Sequence, residues 1–150
     1  MKLDGSVTIS APRAQVWAFL TDPHAVGQCV PGLKSLEIVK PGEHFRAVAS
    51  VGLGSVKVTF SADVFWEELV PPQKARMKGH GTAPGSAADA TAEMLLAELP
   101  DGGTRLDWQA DVTVSGTIAS LASRLMPGVT QKLTASFFDC VREKVAAAPG

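Results

Sequence analysis

Val56-Lys57-Val58-Thr59-Phe60-Ser61-Ala62-Asp63-Val64-Phe65-Trp66 is the cleanest alternation in the chain. Val56, Val58, Phe60, Ala62, Val64 and Trp66 share one face, while Lys57, Thr59, Ser61, Asp63 and Glu67 share the other. A period of two with one apolar side marks a strand that buries one face and wets the other. Pro71-Pro72 stops it.

The same period extends in both directions. Upstream, residues 33–39 form a strand closed by Pro41-Gly42, and Phe45, Ala47, Ala49 and Val51 share a face of the next, before a turn at Gly52-Leu53-Gly54. Downstream, residues 74–81 place Ala75, Met77, Gly79 and Gly81 on one side, and residues 86–99 align Ala88, Ala90, Ala92, Met94 and Leu96. Pro100-Asp101-Gly102-Gly103 is a hairpin turn. Residues 104–115 then align Leu106, Trp108, Ala110, Val112 and Val114, and Gly116 ends the sheet.

The two ends of the chain read differently. Leu3-Asp4-Gly5-Ser6-Val7-Thr8-Ile9 is a half-buried strand. Pro12 opens a short helix over residues 12–20, with Val16, Trp17 and Leu20 at helical spacing. Asp22 as N-cap and Pro23 at the first helical position start a second, brief helix that Pro31-Gly32 ends. At the far end Leu121, Leu125, Val129, Leu133, Phe137, Cys140, Val141 and Val145 form a stripe of three- and four-residue steps. Pro127-Gly128 is expected to kink or break that helix, and residues 146–150 to fray. The order predicts an α+β fold: a seven-stranded antiparallel sheet, two short helices between its first two strands, and a long C-terminal helix laid across it.

The chain has 150 residues, enough for one domain, 1–150, and too few for two ordinary ones. Fourteen basic and fifteen acidic residues, net charge −1, are interleaved, so a nucleic-acid partner is not expected. No apolar stretch reaches the ~18 residues of a membrane span, and the start lacks a signal-peptide core. A cytoplasmic protein follows, with any membrane contact peripheral. Cys29 and Cys140 are too distant in sequence for metal-type spacing. A reducing compartment disfavours a bridge, so two unpaired, partly buried thiols are expected.

Small side chains crowd the inner face: Ala47, Ala49, Ala75, Gly79, Gly81, Ala88, Ala90, Ala92 and Ala110. Either the long helix sits very close to the sheet, or a cavity remains. Phe45, Phe60, Met77, Met94, Trp108 and Phe137 would ring such a cavity. Catalytic chemistry is missing from the same face. His24, His44 and His80 lack metal-ligand spacing, and His44 and His80 fall on the outward register. A Cys29–His24 nucleophilic pair rests on proximity in sequence alone. Glu68 and Glu98 lie near strand ends, and Arg76 and Gln109 point outward. No catalytic residue and no metal site is expected. The sequence also contains no Tyr and no Asn, residues that often orient polar substrates.

The pattern resembles the helix-grip arrangement of the START-like (SRPBCC, Bet v 1-like) superfamily, and within it the carbon monoxide dehydrogenase accessory (CoxG-like) family. The resemblance is carried by Gly5, Pro12 with Val16-Trp17, Asp22-Pro23, and the turn Cys29-Val30-Pro31-Gly32. Val51-Gly52 ahead of Val56-Lys57-Val58 and Phe60, then Gly81, Gly85 and Ala87-Ala88, continue it. Gly103-Thr104 and Val114-x-Gly116 with Ile118-Ala119 complete it, over about residues 3–145. Pro127 and the stop at Gly150 depart from the pattern; relatives continue the helix, and some carry a C-terminal extension for membrane attachment.

The resemblance implies a non-catalytic accessory protein that binds a hydrophobic ligand, a respiratory quinone such as menaquinone or ubiquinone, or a lipid. It also implies a link between a molybdenum hydroxylase-type dehydrogenase and the inner face of the cell membrane. No covalently bound cofactor is expected. The competing reading is a cyclase or hydrolase acting on a hydrophobic substrate, as other members of the superfamily do. The residues expected to touch ligand are Val30, Pro31, Phe45, Val58, Phe60, Met77, Met94, Trp108, Leu121, Leu125, Val129, Leu133 and Phe137. The mouth is expected between residues 29–32, residues 52–54 and the start of the long helix, gated by Leu125, Met126 and Val129.

Overall fold

The computed structural model describes residues 1–147. Strand β1 (Lys2–Ile9) leads into helices α1 (Arg13–Leu20) and α2 (Pro23–Gly27). Six strands follow: β2 (Leu33–Lys40), β3 (His44–Leu53), β4 (Val56–Val70), β5 (Lys74–Ala83), β6 (Ser86–Glu98) and β7 (Thr104–Gly116). Helix α3 (Ala119–Ala147) ends the described chain. All seven strands join one antiparallel sheet in the order β1-β7-β6-β5-β4-β3-β2, so each hairpin pairs its own two strands and β1 closes against β7. The expected fraying reaches no further than this description allows: residues 146 and 147 are helical, and 148–150 lie outside the described residues.

Local chemistry places the elements as expected. Asp22 accepts hydrogen bonds from the backbone N–H of His24 (3.0 Å) and Ala25 (3.4 Å), with Pro23 at the first helical position. Gly32 adopts φ +77°, and its carbonyl accepts from Ser50 N at 2.9 Å. Any side chain at Gly32 would run into the Ser50 carbonyl oxygen, so this turn requires glycine.

Two clusters hold α3 to the sheet. The larger joins Ile9, Val16, Leu20, Leu96, Leu106, Val141 and Val145, with Leu106 only 1% exposed. Each such side chain contributes roughly 1.5–3 kcal/mol by leaving water. Thr104, also buried, donates to Ala11 O at 2.8 Å, and Gln15 Nε2 donates to Val145 O at 2.9 Å, tying the end of α3 to α1. The smaller cluster gathers Leu53, Val58 and Ala122 with Phe60, Leu121, Leu125, Met126 and Val129.

Two expectations need correction. Pro127-Gly128 does not break α3, which is continuous through both residues. Both face solvent, as does Ser123 four residues before the proline, so the carbonyl left without its helical donor lies on the wet side, and packing at Ala122 and Val141 carries the helix across. Cys29 and Cys140 are not free thiols but form a disulfide, Cα atoms 5.4 Å apart. Their separation of 111 residues vanishes once α3 lies over the end of α2, and expected redox compartment was the wrong guide to it. With Cys29 bonded, a Cys29–His24 nucleophile is removed as well.

Candidate ligand-binding cavity

The inner face of the sheet is built in rows set by strand register. Trp66, Met77, Ala92 and Ala110 pair successively across β4, β5, β6 and β7. Beside them run Ala75, Met94, Trp108 and Gly5 across β5, β6, β7 and β1. Alanine at 75 and 92 leaves the floor low, and α2 does not descend to fill it. A cavity of about 360 Å³ remains, floored by Ala47, Ala75 and Ala92 and walled by Phe45, Trp66, Met77, Met94, Leu106 and Trp108. Leu20, Pro23, Val26 and Val30 cover it from α1, α2 and the following loop, and Phe137 and Phe138 from α3. The aromatic walls interlock edge to face: Phe45 with Trp66 at 6.1 Å between centroids, and Phe137 with Phe138 at 5.0 Å.

The few polar side chains at its edge are already committed or belong to the outer register. The Thr21 hydroxyl donates to Trp17 O at 2.8 Å. Glu93 lies within 3.4 Å of Arg76 and 4.0 Å of Lys74 on the convex side. Gln109, its neighbour on β7, is exposed. The other polar candidates also turn away: Glu68 pairs with Lys74 at 3.3 Å, and Glu98 with Arg13 at 3.5 Å. What converges inside is apolar surface.

The thirteen side chains singled out from sequence separate into two places. Val30, Phe45, Met77, Met94, Trp108 and Phe137 line the cavity. Val58, Phe60, Leu121, Leu125 and Val129 stand in the smaller cluster, where the turn at Gly54 lies against Leu125. There Phe60 leans over Gly81, 3.5 Å from where a Cβ would sit, and fills the space that small residue leaves. Met126, placed in the expected gate, is packed in that cluster too, so the expected mouth is closed by packing. Pro31 and Leu133 are half-buried and outside the cavity lining. Leu33 and Leu36 on β2, and Ala47, Val64 and Trp66, also line it. Trp66 ends the opening alternation, so its inward direction was readable; the roles of Leu33 and Leu36 depend on where α2 settles.

The outward face carries charge in a lateral row. Glu37, Arg46, Asp63, His80 and Asp89 are successive register partners from β2 to β6. His80 Nδ1 lies 2.6 Å from Asp89. His44, stacked on Phe65, meets Asp63 at 2.8 Å, and Arg46 Nε donates to the same oxygen at 3.2 Å. Hydrogen bonds from His44 first and Arg46 second hold the Asp63 carboxyl below the usual carboxylate range. A lowered folded-state pKa gives stability that is present above the unfolded value and is lost as pH falls through the folded one. Asp63→Asn is therefore expected to lower the melting temperature at pH 6 and to show a shrinking deficit towards pH 3, read by thermal scans across that range. A deficit independent of pH would show that the charge is not what matters.

A twisted antiparallel sheet gripping one long helix around an apolar cavity defines a helix-grip domain of the START-like, Bet v 1-related class. Solved structures agree. The chain is similar to a conserved protein from Geobacillus kaustophilus, 25% identical, with TM-score 0.89 and 97% of this chain and 95% of that chain covered. It is also similar to the ZhuI aromatase/cyclase from Streptomyces sp. R1128 (17% identity, TM-score 0.75, 97% and 93% covered) and to Ara h 8.0201 (16%, 0.68, 99% and 99%). The chain belongs to the carbon monoxide dehydrogenase CoxG family, whose model matches residues 5–146. No curated protein sequence matches it. Among the described residues no helix is long and apolar enough to cross a membrane.

Proposed function

We propose that this protein is a non-catalytic carrier that shelters the apolar part of a respiratory quinone or similar lipid, as an accessory to a molybdenum hydroxylase-type dehydrogenase at the membrane. The observation that supports this reading most is the 360 Å³ cavity walled by aliphatic and aromatic side chains, with no pair of titratable groups turned into it among the described residues. At ~30 Å³ per water-sized group it holds about a dozen carbons, which is one naphthoquinone ring or two to three isoprenoid units. It does not hold both. A long-tailed quinone therefore occupies it in part, and the remainder leaves past the rim, where Val30 is 37% exposed.

The partner enzyme enters through the family name alone, and the aromatase/cyclase among the structural relatives supplies the competing reading. That reading needs polar groups converging on substrate, whereas Arg76, Glu68 and Glu98 are paired outside the cavity. The carrier reading is tested by mixing purified protein with vesicles containing menaquinone, reisolating the protein, and assaying bound quinone and melting temperature. Retained quinone with a melting temperature raised by several degrees is the expected result. Protein that returns without quinone or lipid, and melts unchanged, rules the carrier reading out.

A further inference from the structure

A second recess adjoins the cavity, and its chemistry differs. Between β1 and α3 runs a groove of about 510 Å³, bounded by residues 2–7 on one side and Pro127, Thr130, Gln131 and Thr134 on the other. Trp108 and Phe138 line both this groove and the apolar cavity, so the two spaces meet at one aromatic partition. Trp108 reaches that position because its register partner is Gly5. A Cβ on Gly5 would fall 2.6 Å from the indole Nε1, so only glycine lets the ring lie down over β1. The atoms nearest to Gly5 are Nε1, Cε2 and Cζ2, which places the N–H edge of the indole on the groove side.

We propose that this groove receives the polar end of an amphiphilic ligand whose apolar segment occupies the cavity, and that the polar end is uncharged. The proposal rests on the carrier reading and extends it. The cavity offers its occupant no uncommitted hydrogen-bonding side chain within its walls, so a carbonyl or hydroxyl placed there would lose its partners. The groove supplies them: hydroxyl, amide and indole N–H groups from Thr130, Gln131 and Trp108. Its charges cancel. Lys2 and Arg142 stand against Asp4 and Asp139, Arg142 lies 3.5 Å from Asp139, and its Nε donates to Thr8 O at 3.1 Å. A phosphate or ammonium head would find one repelling partner for each attracting one, whereas a neutral carbonyl loses nothing.

The groove is tested by titration calorimetry on the whole protein with four probes below their micellar concentrations. They are naphthalene, which has no head, and three chains of similar length: tridecan-2-one, dodecyl phosphate and dodecyltrimethylammonium. Tridecan-2-one is expected to bind at least about tenfold more tightly than either charged chain. The double variant Thr130→Ala, Gln131→Ala should weaken tridecan-2-one about fivefold, the range of one or two neutral hydrogen bonds, and leave naphthalene unchanged. A melting temperature within a few degrees of the parent shows that the variant is folded. Equal binding of charged and neutral chains, or a double variant that changes neither ligand, overturns the groove while the cavity stands. Failure of naphthalene itself to bind overturns both.

Discussion

Replacing Ala92 by phenylalanine is expected to abolish binding of an apolar probe while leaving the protein folded and as stable as before. Ala92 lies on the cavity floor between Met77 and Ala110. A phenyl ring there would take roughly half of the dozen carbon-sized places. The gross gain from filling that space is about 10 kcal/mol at ~0.8 kcal/mol per methylene, and association costs at least ~4 kcal/mol. What is left corresponds to a dissociation constant on the order of 0.1 mM, so the probe is best titrated up to millimolar concentration. Ala92→Phe should weaken naphthalene more than about tenfold, and its melting temperature should stay within ~3 °C of the parent or rise. In a close-packed core the same ring would cost about 1–3 kcal/mol of overpacking. A melting temperature lowered by more than ~5 °C would mean that the space is not there.

Removing the Cys29–Cys140 disulfide should have the largest effect on stability. It closes a loop of 111 residues, and in the chain-entropy account a loop of that length is worth about 3–5 kcal/mol. The double variant Cys29→Ser, Cys140→Ser, or the parent under strong reductant, should melt about 10 °C lower. The effect should reach the cavity too. Cys29 is 4% exposed, and its neighbours Val26, Gly27 and Val30 are cavity wall, as are Phe137 and Phe138 just ahead of Cys140. Naphthalene should therefore bind more weakly to the reduced protein at 10 °C, where it is still folded. If reduction shifts neither melting nor binding, the bridge is not a fixed part of the fold in solution.

Most of the sheet was legible because its register is written in side-chain alternation. The row Trp66, Met77, Ala92, Ala110 can be assembled from four separate strands by pattern alone. Asp22-Pro23 likewise marked α2, since cap chemistry is local. The small inner residues posed a choice between a close helix and a cavity, and the molecule realises each in a different half. Near Gly81, Phe60 folds down and fills the space; near Ala75 and Ala92 no large neighbour does. Which half stays empty depends on the rotamers of Phe60 and the seat of α3, and these are long-range packing outcomes that periodicity does not encode. The disulfide was hidden for the same reason: nothing local to Cys29 or Cys140 reports that α3 brings them together.

The attachments of α3 have a mechanical consequence. Its covalent and polar fixings, Cys140 to Cys29, Arg142 to Thr8 O and Gln15 to Val145 O, all fall within its last two turns. Residues 119–130, by comparison, rest on side-chain packing against Leu53 and Val58. A rod clamped at one end and merely seated at the other has its softest motion as a swing about the clamp. In such a swing the free end travels furthest, and Pro127 rides on that moving half beside the groove. The three fixings thus act as a hinge pin, and the long helix is a lever whose stiff end keeps the aromatic wall of the cavity in place while its far end lifts.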